Sequence, residues 1–65
     1  MNCKLLKHYI KENHDTVETL ALALGIDYAT LTLKINAKLG FYKREVDLIC
    51  ERYNFDAKLT MKIFF

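Results

Sequence analysis

Apolar positions recur along the chain at helical spacing, and five such patterns fill its length. The first covers about residues 2–13, where Leu6, Tyr9 and Ile10 share one face. The second, about 17–24, carries Val17, Leu20, Ala21 and Leu24 at i, i+3, i+4 and i+7, with Thr16 as its expected N-cap. Gly25 ends it, because glycine takes the left-handed conformation at a helix end without steric penalty. Ile26 then pins the turn to the core, and Asp27 is a suitable N-cap for a third helix over about 28–36. There Leu31 and Ile35 share the inward face, while Thr32 and Leu33 point elsewhere. Residues 37–41 read as a loop with Gly40 as its flexible point. A fourth helix, about 43–53, has Val46, Ile49, Cys50 and Tyr53 on one face. A last short helix, about 57–64, offers Leu59, Ile63 and one or both terminal phenylalanines to the core.

These patterns predict an all-α, compact four- to five-helix bundle in a single domain over residues 1–65. A chain this short buries only ~60% of the surface its unfolded form exposes, so tight helix packing or a partner subunit has to support a thin core. The absence of proline and a hydrophobic share of 52% suit uninterrupted helices. The longest wholly apolar run is residues 20–24, far below the ~20 residues of a membrane span. Lys4, Lys7 and Lys11 interrupt the opening segment, so no signal-peptide pattern is expected and the expected location is cytoplasmic.

The candidate chemistry is sparse. Cys3 and Cys50 form no Cys-x-x-Cys pair and lie at no zinc spacing from His8 or His14, so a free terminal thiol and a buried one are expected. Neither a metal nor a cofactor is expected. No nucleophile with a base partner, glycine-rich phosphate loop or paired carboxylates stand out, which argues against an enzyme and against a small-molecule substrate. Charge is uneven: residues 1–33 hold three lysines against four acids, and residues 34–65 hold seven Lys or Arg against four. A basic bias in the second half fits phosphate contact.

The informative stretch is residues 16–36, T-V-E-T-L-A-L-A-L-G-I-D-Y-A-T-L-T-L-K-I-N. It reads as two helices crossing at a tight corner: Ala21 small at the crossing, Gly25 at the turn, Ile26 and Leu31 filling the angle. With L-A at 20–21, L-G-I at 24–26, T-L at 30–31 and I-N at 35–36, the chain resembles the Cro and repressor type of helix-turn-helix family, often called Xre-like. Phe41, Glu45-Val46, Ile49 and the closing Ile63-Phe64-Phe65 extend the likeness to very small prophage-encoded regulators, so it covers nearly the whole chain. Thr19 stands where that family usually has Glu, Ala37 where it has Gly, and Tyr42 where it has a Ser or Thr cap.

The resemblance implies a lambda-repressor-like fold, with helices two and three as the helix-turn-helix. It also implies a phage-type transcriptional regulator that binds double-stranded DNA with helix three in the major groove. Tyr28, Ala29, Thr32 and Leu33 would then face base edges. Thr32 can hydrogen-bond several bases, and Ala29, Leu33 and the Thr32 methyl suit thymine methyl groups. Phosphate contact falls to Thr16 and Val17 at the amide end of helix two and to Lys34, Asn36, Lys38, Lys43 and Arg44. For each basic residue the alternative is a solvated charged face, and for Leu33 an ordinary exposed leucine. Relatives pair on palindromic sites, so a homodimer is implied. The apolar end at residues 61–65 either forms its interface or closes the monomer core. The rival reading is a protein-interaction module of the same fold, an anti-repressor or an inhibitor of host machinery. The low net charge of +2 and the lack of Arg, Asn or Gln among the four base-facing positions favour it.

Overall fold

The computed structural model describes residues 1–37 and 39–65, and the helices fall where the periodicity places them. They are α1 (Cys3–Glu12), α2 (Val17–Leu24), α3 (Tyr28–Asn36), α4 (Lys43–Tyr53) and α5 (Ala57–Phe64); no strand occurs among the described residues. Asn2 caps α1 rather than opening it, its side chain accepting the Leu5 N–H at 3.0 Å. Thr16 caps α2 through the Thr19 N–H at 3.1 Å, and the Thr19 hydroxyl lies 2.9 Å from that of Thr16. A threonine pair therefore occupies the place of a threonine–glutamate capping box. Asp56 caps α5 through the Leu59 N–H at 2.8 Å. Asp27 occupies the cap position of α3, but its side chain makes no cap bond, contrary to the sequence expectation.

The corner between α2 and α3 is closed by backbone geometry. Gly25 adopts φ 71°, its N–H donates to the Leu22 carbonyl at 3.2 Å, and the Ile26 N–H donates to the Ala21 carbonyl at 3.1 Å. This pair of bonds satisfies carbonyls that the helix end leaves open and reverses the chain within three residues. A Cβ on Gly25 would meet nothing within 4 Å, so the positive φ, not lack of space, is what calls for glycine there. His14 (φ 55°) and Asn54 (φ 56°) turn the chain after α1 and α4 in the same left-handed conformation. After α3 it is Gly40, at φ 85°, that takes the positive φ, while Asn36 remains helical.

Leu6, Ile10, Leu20, Ala21, Leu24, Leu31, Ile35, Ile49 and Ile63 make the core, with α2 packed on α3 and α4, and α1 packed on α3 and α5. Tyr9 meets Phe55 edge-on at 5.3 Å, and the Asn2 N–H donates to the Ile63 carbonyl, tying the start of α1 to α5. Ile63 is buried and Phe64 packs edge-on against Phe41 at 5.7 Å, whereas Phe65 is 79% exposed. Two of the three closing apolar residues therefore complete the monomer. Both thiols are free; the terminal one, Cys3, is also buried, and Cys50, expected to be buried, is half-buried with its Sγ 3.2 Å from the Thr60 hydroxyl. Cys3 shares the inward face of α1 with Leu6 and Ile10, three and seven residues on.

A polar latch joins the α1–α2 turn to the end of α4. Arg52 donates to both oxygens of Asp15, from Nε at 2.8 Å and from a terminal nitrogen at 3.2 Å, and the Tyr53 hydroxyl donates to the same carboxylate at 2.6 Å. Arg52 is the largest influence on Asp15, Tyr53 adds to it, and burial opposes both; the carboxyl is held down at about 2. Burial first, and then Asp15, pushes the Tyr53 hydroxyl well above its ordinary range. A lowered carboxyl pKa stabilises the fold above the unfolded value near 3.8, and that contribution is lost as pH falls through about 2. We expect the stability measured by urea unfolding to fall by about 2 kcal/mol between pH 5 and pH 2, with Asp15→Asn removing most of that slope. An unchanged pH slope in Asp15→Asn would show that the latch contributes nothing.

Candidate functional site

The candidate site is built on α3, which is held by one edge. Leu31 and Ile35 turn inward and are fully buried, while Tyr28 (54% exposed), Ala29, Thr30 and Leu33 (56% exposed) lie open. Three of the four expected base-facing residues are thus accessible. Thr32 is not: the residue is half-buried, and its hydroxyl oxygen is sealed from solvent with no hydrogen-bond partner. The reason is angular. At ~100° per residue Thr30 lies farther round the helix from the Leu31–Ile35 edge than Thr32 does, so Thr30 carries the outward hydroxyl.

Of the basic residues expected to grip phosphate, Lys34 is engaged inside the molecule, while Lys43 and Arg44 are exposed. Lys34 donates to Glu45 Oε1 at 3.0 Å and lies 3.4 Å from the Gly40 carbonyl. Its ammonium sits over the Tyr42 ring at 4.5 Å and near the Phe41 ring at 5.6 Å. Glu45 is 1% exposed and also accepts the Tyr42 N–H at 2.9 Å, so it caps α4 from within while Tyr42 gives no side-chain cap bond. Lys34 is therefore a structural cation, and its expected phosphate role is withdrawn. Arg44 is exposed and donates through both terminal nitrogens to the Leu24 carbonyl at 3.3 Å, closing the end of α2 with its charge unpaired among the described residues. Lys43 pairs with Asp47 at 2.9 Å on the surface, a bond worth only ~0.3–0.5 kcal/mol and readily exchanged. Asn36 is exposed on the last turn of α3, and Lys38 lies outside the described residues.

Pairing thereby redistributes the charge. In the second half Lys34, Lys43 and Arg52 are matched to acids, while Lys4, Lys7 and Lys11 on α1, Arg44 on α4 and Lys58 and Lys62 on α5 make no ion pair among the described residues. Lys7 and Lys11 also line a shallow pit with Thr16 and Val17, beside the first-turn amides of α2, which have no helical acceptor. Sequence reasoning passed over both lysines. The i, i+3, i+7 spacing of Lys4, Lys7 and Lys11 was the signal that could have found them.

A second overlooked feature is apolar. Leu22, Leu39 and Tyr42 are exposed on segments that border α3. Leu22 shares one pit with Tyr28, and Leu39 and Tyr42 share another with Thr30 and Leu33. Comparison with family models, curated proteins and solved structures finds no match to this chain.

The Lys34–Glu45 pair makes its own prediction. Removing one member of a buried ion pair leaves the other charged and unpartnered, at about 3–5 kcal/mol. Lys34→Met should lower the unfolding free energy by about 3 kcal/mol, and Lys34→Met with Glu45→Leu should recover part of it. A loss below about 1 kcal/mol for Lys34→Met would mean that Lys34 is solvated and free to meet a phosphate.

Proposed function

We propose that the chain binds double-stranded DNA as a small phage-type regulator, with α2 and α3 serving as a helix-turn-helix and α3 entering the major groove. The observation that carries this reading is the one-edged anchoring of α3 behind a glycine-turned corner, which leaves Tyr28, Ala29, Thr30 and Leu33 exposed together. A helix presented in this way matches the width of a major groove. Ala29 and Leu33 suit thymine methyl groups, and the hydroxyls of Thr30 and Tyr28 can donate to or accept from base edges. No Arg, Asn or Gln stands at these four positions, so direct readout is modest and duplex shape contributes the rest. The free amides of α2 at Val17 and Glu18 offer a phosphate anchor, supported by Lys43 and Asn36. Two copies on an inverted repeat, with centres ~34 Å apart, would compensate for the few contacts one copy makes.

The second reading is a protein-docking module, and a specific observation favours it: Leu22, Leu39 and Tyr42 extend the apolar surface past α3 on both sides. Exposed apolar surface that runs beyond one helix is a feature of protein interfaces.

Fluorescence anisotropy with a labelled random duplex separates the two. We expect retention at low salt that weakens steeply as salt rises, and at least tenfold weaker binding for Leu33→Asp with unchanged helicity. A wild-type chain that ignores duplex at low salt rejects the DNA reading. Equal affinity for Leu33→Asp rejects α3 as the contacting face.

A further inference from the structure

Residues 4, 7 and 11 place three lysines along one side of α1, all exposed and none paired with an acid among the described residues. From that arrangement we infer that α1 is a phosphate track: Lys4, Lys7 and Lys11 bind successive phosphates of one duplex strand and lead it onto the amide end of α2. The inference rests on the DNA reading above and names the surface that holds the backbone.

Geometry fits the assignment. Seven residues at 1.5 Å per residue put Lys11 about 10 Å along the axis from Lys4. The ~3.4 Å rise per phosphate is measured along the duplex axis, and adjacent phosphates of one strand lie roughly 7 Å apart through space, so this length, extended by the lysine side chains, spans about two to three phosphates. The track does not stop at α1, since Lys7 and Lys11 border the same pit as Thr16 and Val17. Beyond Val17 the next pit, which contains Tyr28, is bordered by the exposed acids Glu18 and Asp27, so the track ends at the first turn of α2 and does not run on to α3. Asp15 also lines the first pit, but both its oxygens are taken by Arg52 and Tyr53. Glu12 lies about 100° round α1 from Lys11 and so flanks the track without crossing it.

An anionic membrane is the other polyanion that three lysines would suit. It is disfavoured because the apolar face of α1 is already committed: Cys3, Leu6 and Ile10 are buried in the core, leaving nothing to insert beside the lysines. The α5 lysines, Lys58 and Lys62, provide a matched control on a different helix.

The test compares Lys7→Gln/Lys11→Gln with Lys58→Gln/Lys62→Gln, two variants of equal net charge, by duplex affinity over a range of salt. We expect the log–log salt slope to lose about two units in the α1 pair and to be unchanged in the α5 pair. Equal losses in both pairs, or none in either while wild type still binds, overturn the track and leave the DNA reading standing. A wild-type chain without salt-dependent duplex binding overturns both. Phosphatidylserine vesicles form the last arm: lysine-dependent binding there, with none to duplex, transfers α1 to a lipid surface and overturns the assignment.

Discussion

The fold depends most on a carboxylate held almost wholly away from water, that of Glu45. Glu45 lies at the start of α4 inside an otherwise apolar interior, where its Oε1 accepts from both the Lys34 ammonium and the Tyr42 N–H. Those partners belong to α3 and to the turn that follows it, so one carboxylate fixes α3, the turn and α4 against each other. The desolvation cost of such a pair is large, and its value lies in geometry more than in net stability. It sets the angle at which α3 leaves the core. It also removes Lys34 from the surface, with the aromatic rings of Tyr42 and Phe41 completing the enclosure.

Around that fixed joint the chain uses inexpensive backbone closures. The helices on either side of Gly25 are of eight and nine residues, too short to persist alone. The positive φ at Gly25 and the two bonds that close it let α2 turn sharply into α3, and Arg44 holds the Leu24 carbonyl from α4. Opposite this corner, Asp15, Arg52 and Tyr53 tie the α1–α2 turn to the end of α4. With both ends of α2 pinned, α3 is anchored by its Leu31–Ile35 edge and by Lys34, and Tyr28, Ala29, Thr30 and Leu33 are left for a partner. That surface is apolar with hydroxyls, a chemistry suited to thymine-rich groove walls in the reading proposed here and to a protein surface in its rival.

Helix number, helix limits and the apolar core were legible in the sequence because each depends on local periodicity and on caps within three or four residues. Leu20, Ala21 and Leu24 declare their shared face without reference to anything distant. The polar residues were not legible, because their roles are set by partners far along the chain. Lys34 meets Glu45 eleven residues later, and Arg44 meets Leu24 twenty residues earlier. A lysine on a short helix looks identical in sequence whether it faces solvent or a buried acid. The exchange of Thr32 for Thr30 on the outer face is a smaller failure of the same kind, since the tilt of α3 is decided by its neighbours. The burial of Cys3 was legible in the same way as the core, since Cys3, Leu6 and Ile10 stand at i, i+3 and i+7 of α1.

The most direct test of the account is a nitrogen-15 NMR titration of the chain with a short duplex at low salt. We expect the amides of residues 16–18 and 28–33 to shift together and saturably, with those of α5 unmoved. Shifts confined to α5 and the chain end, with α3 silent, would contradict it.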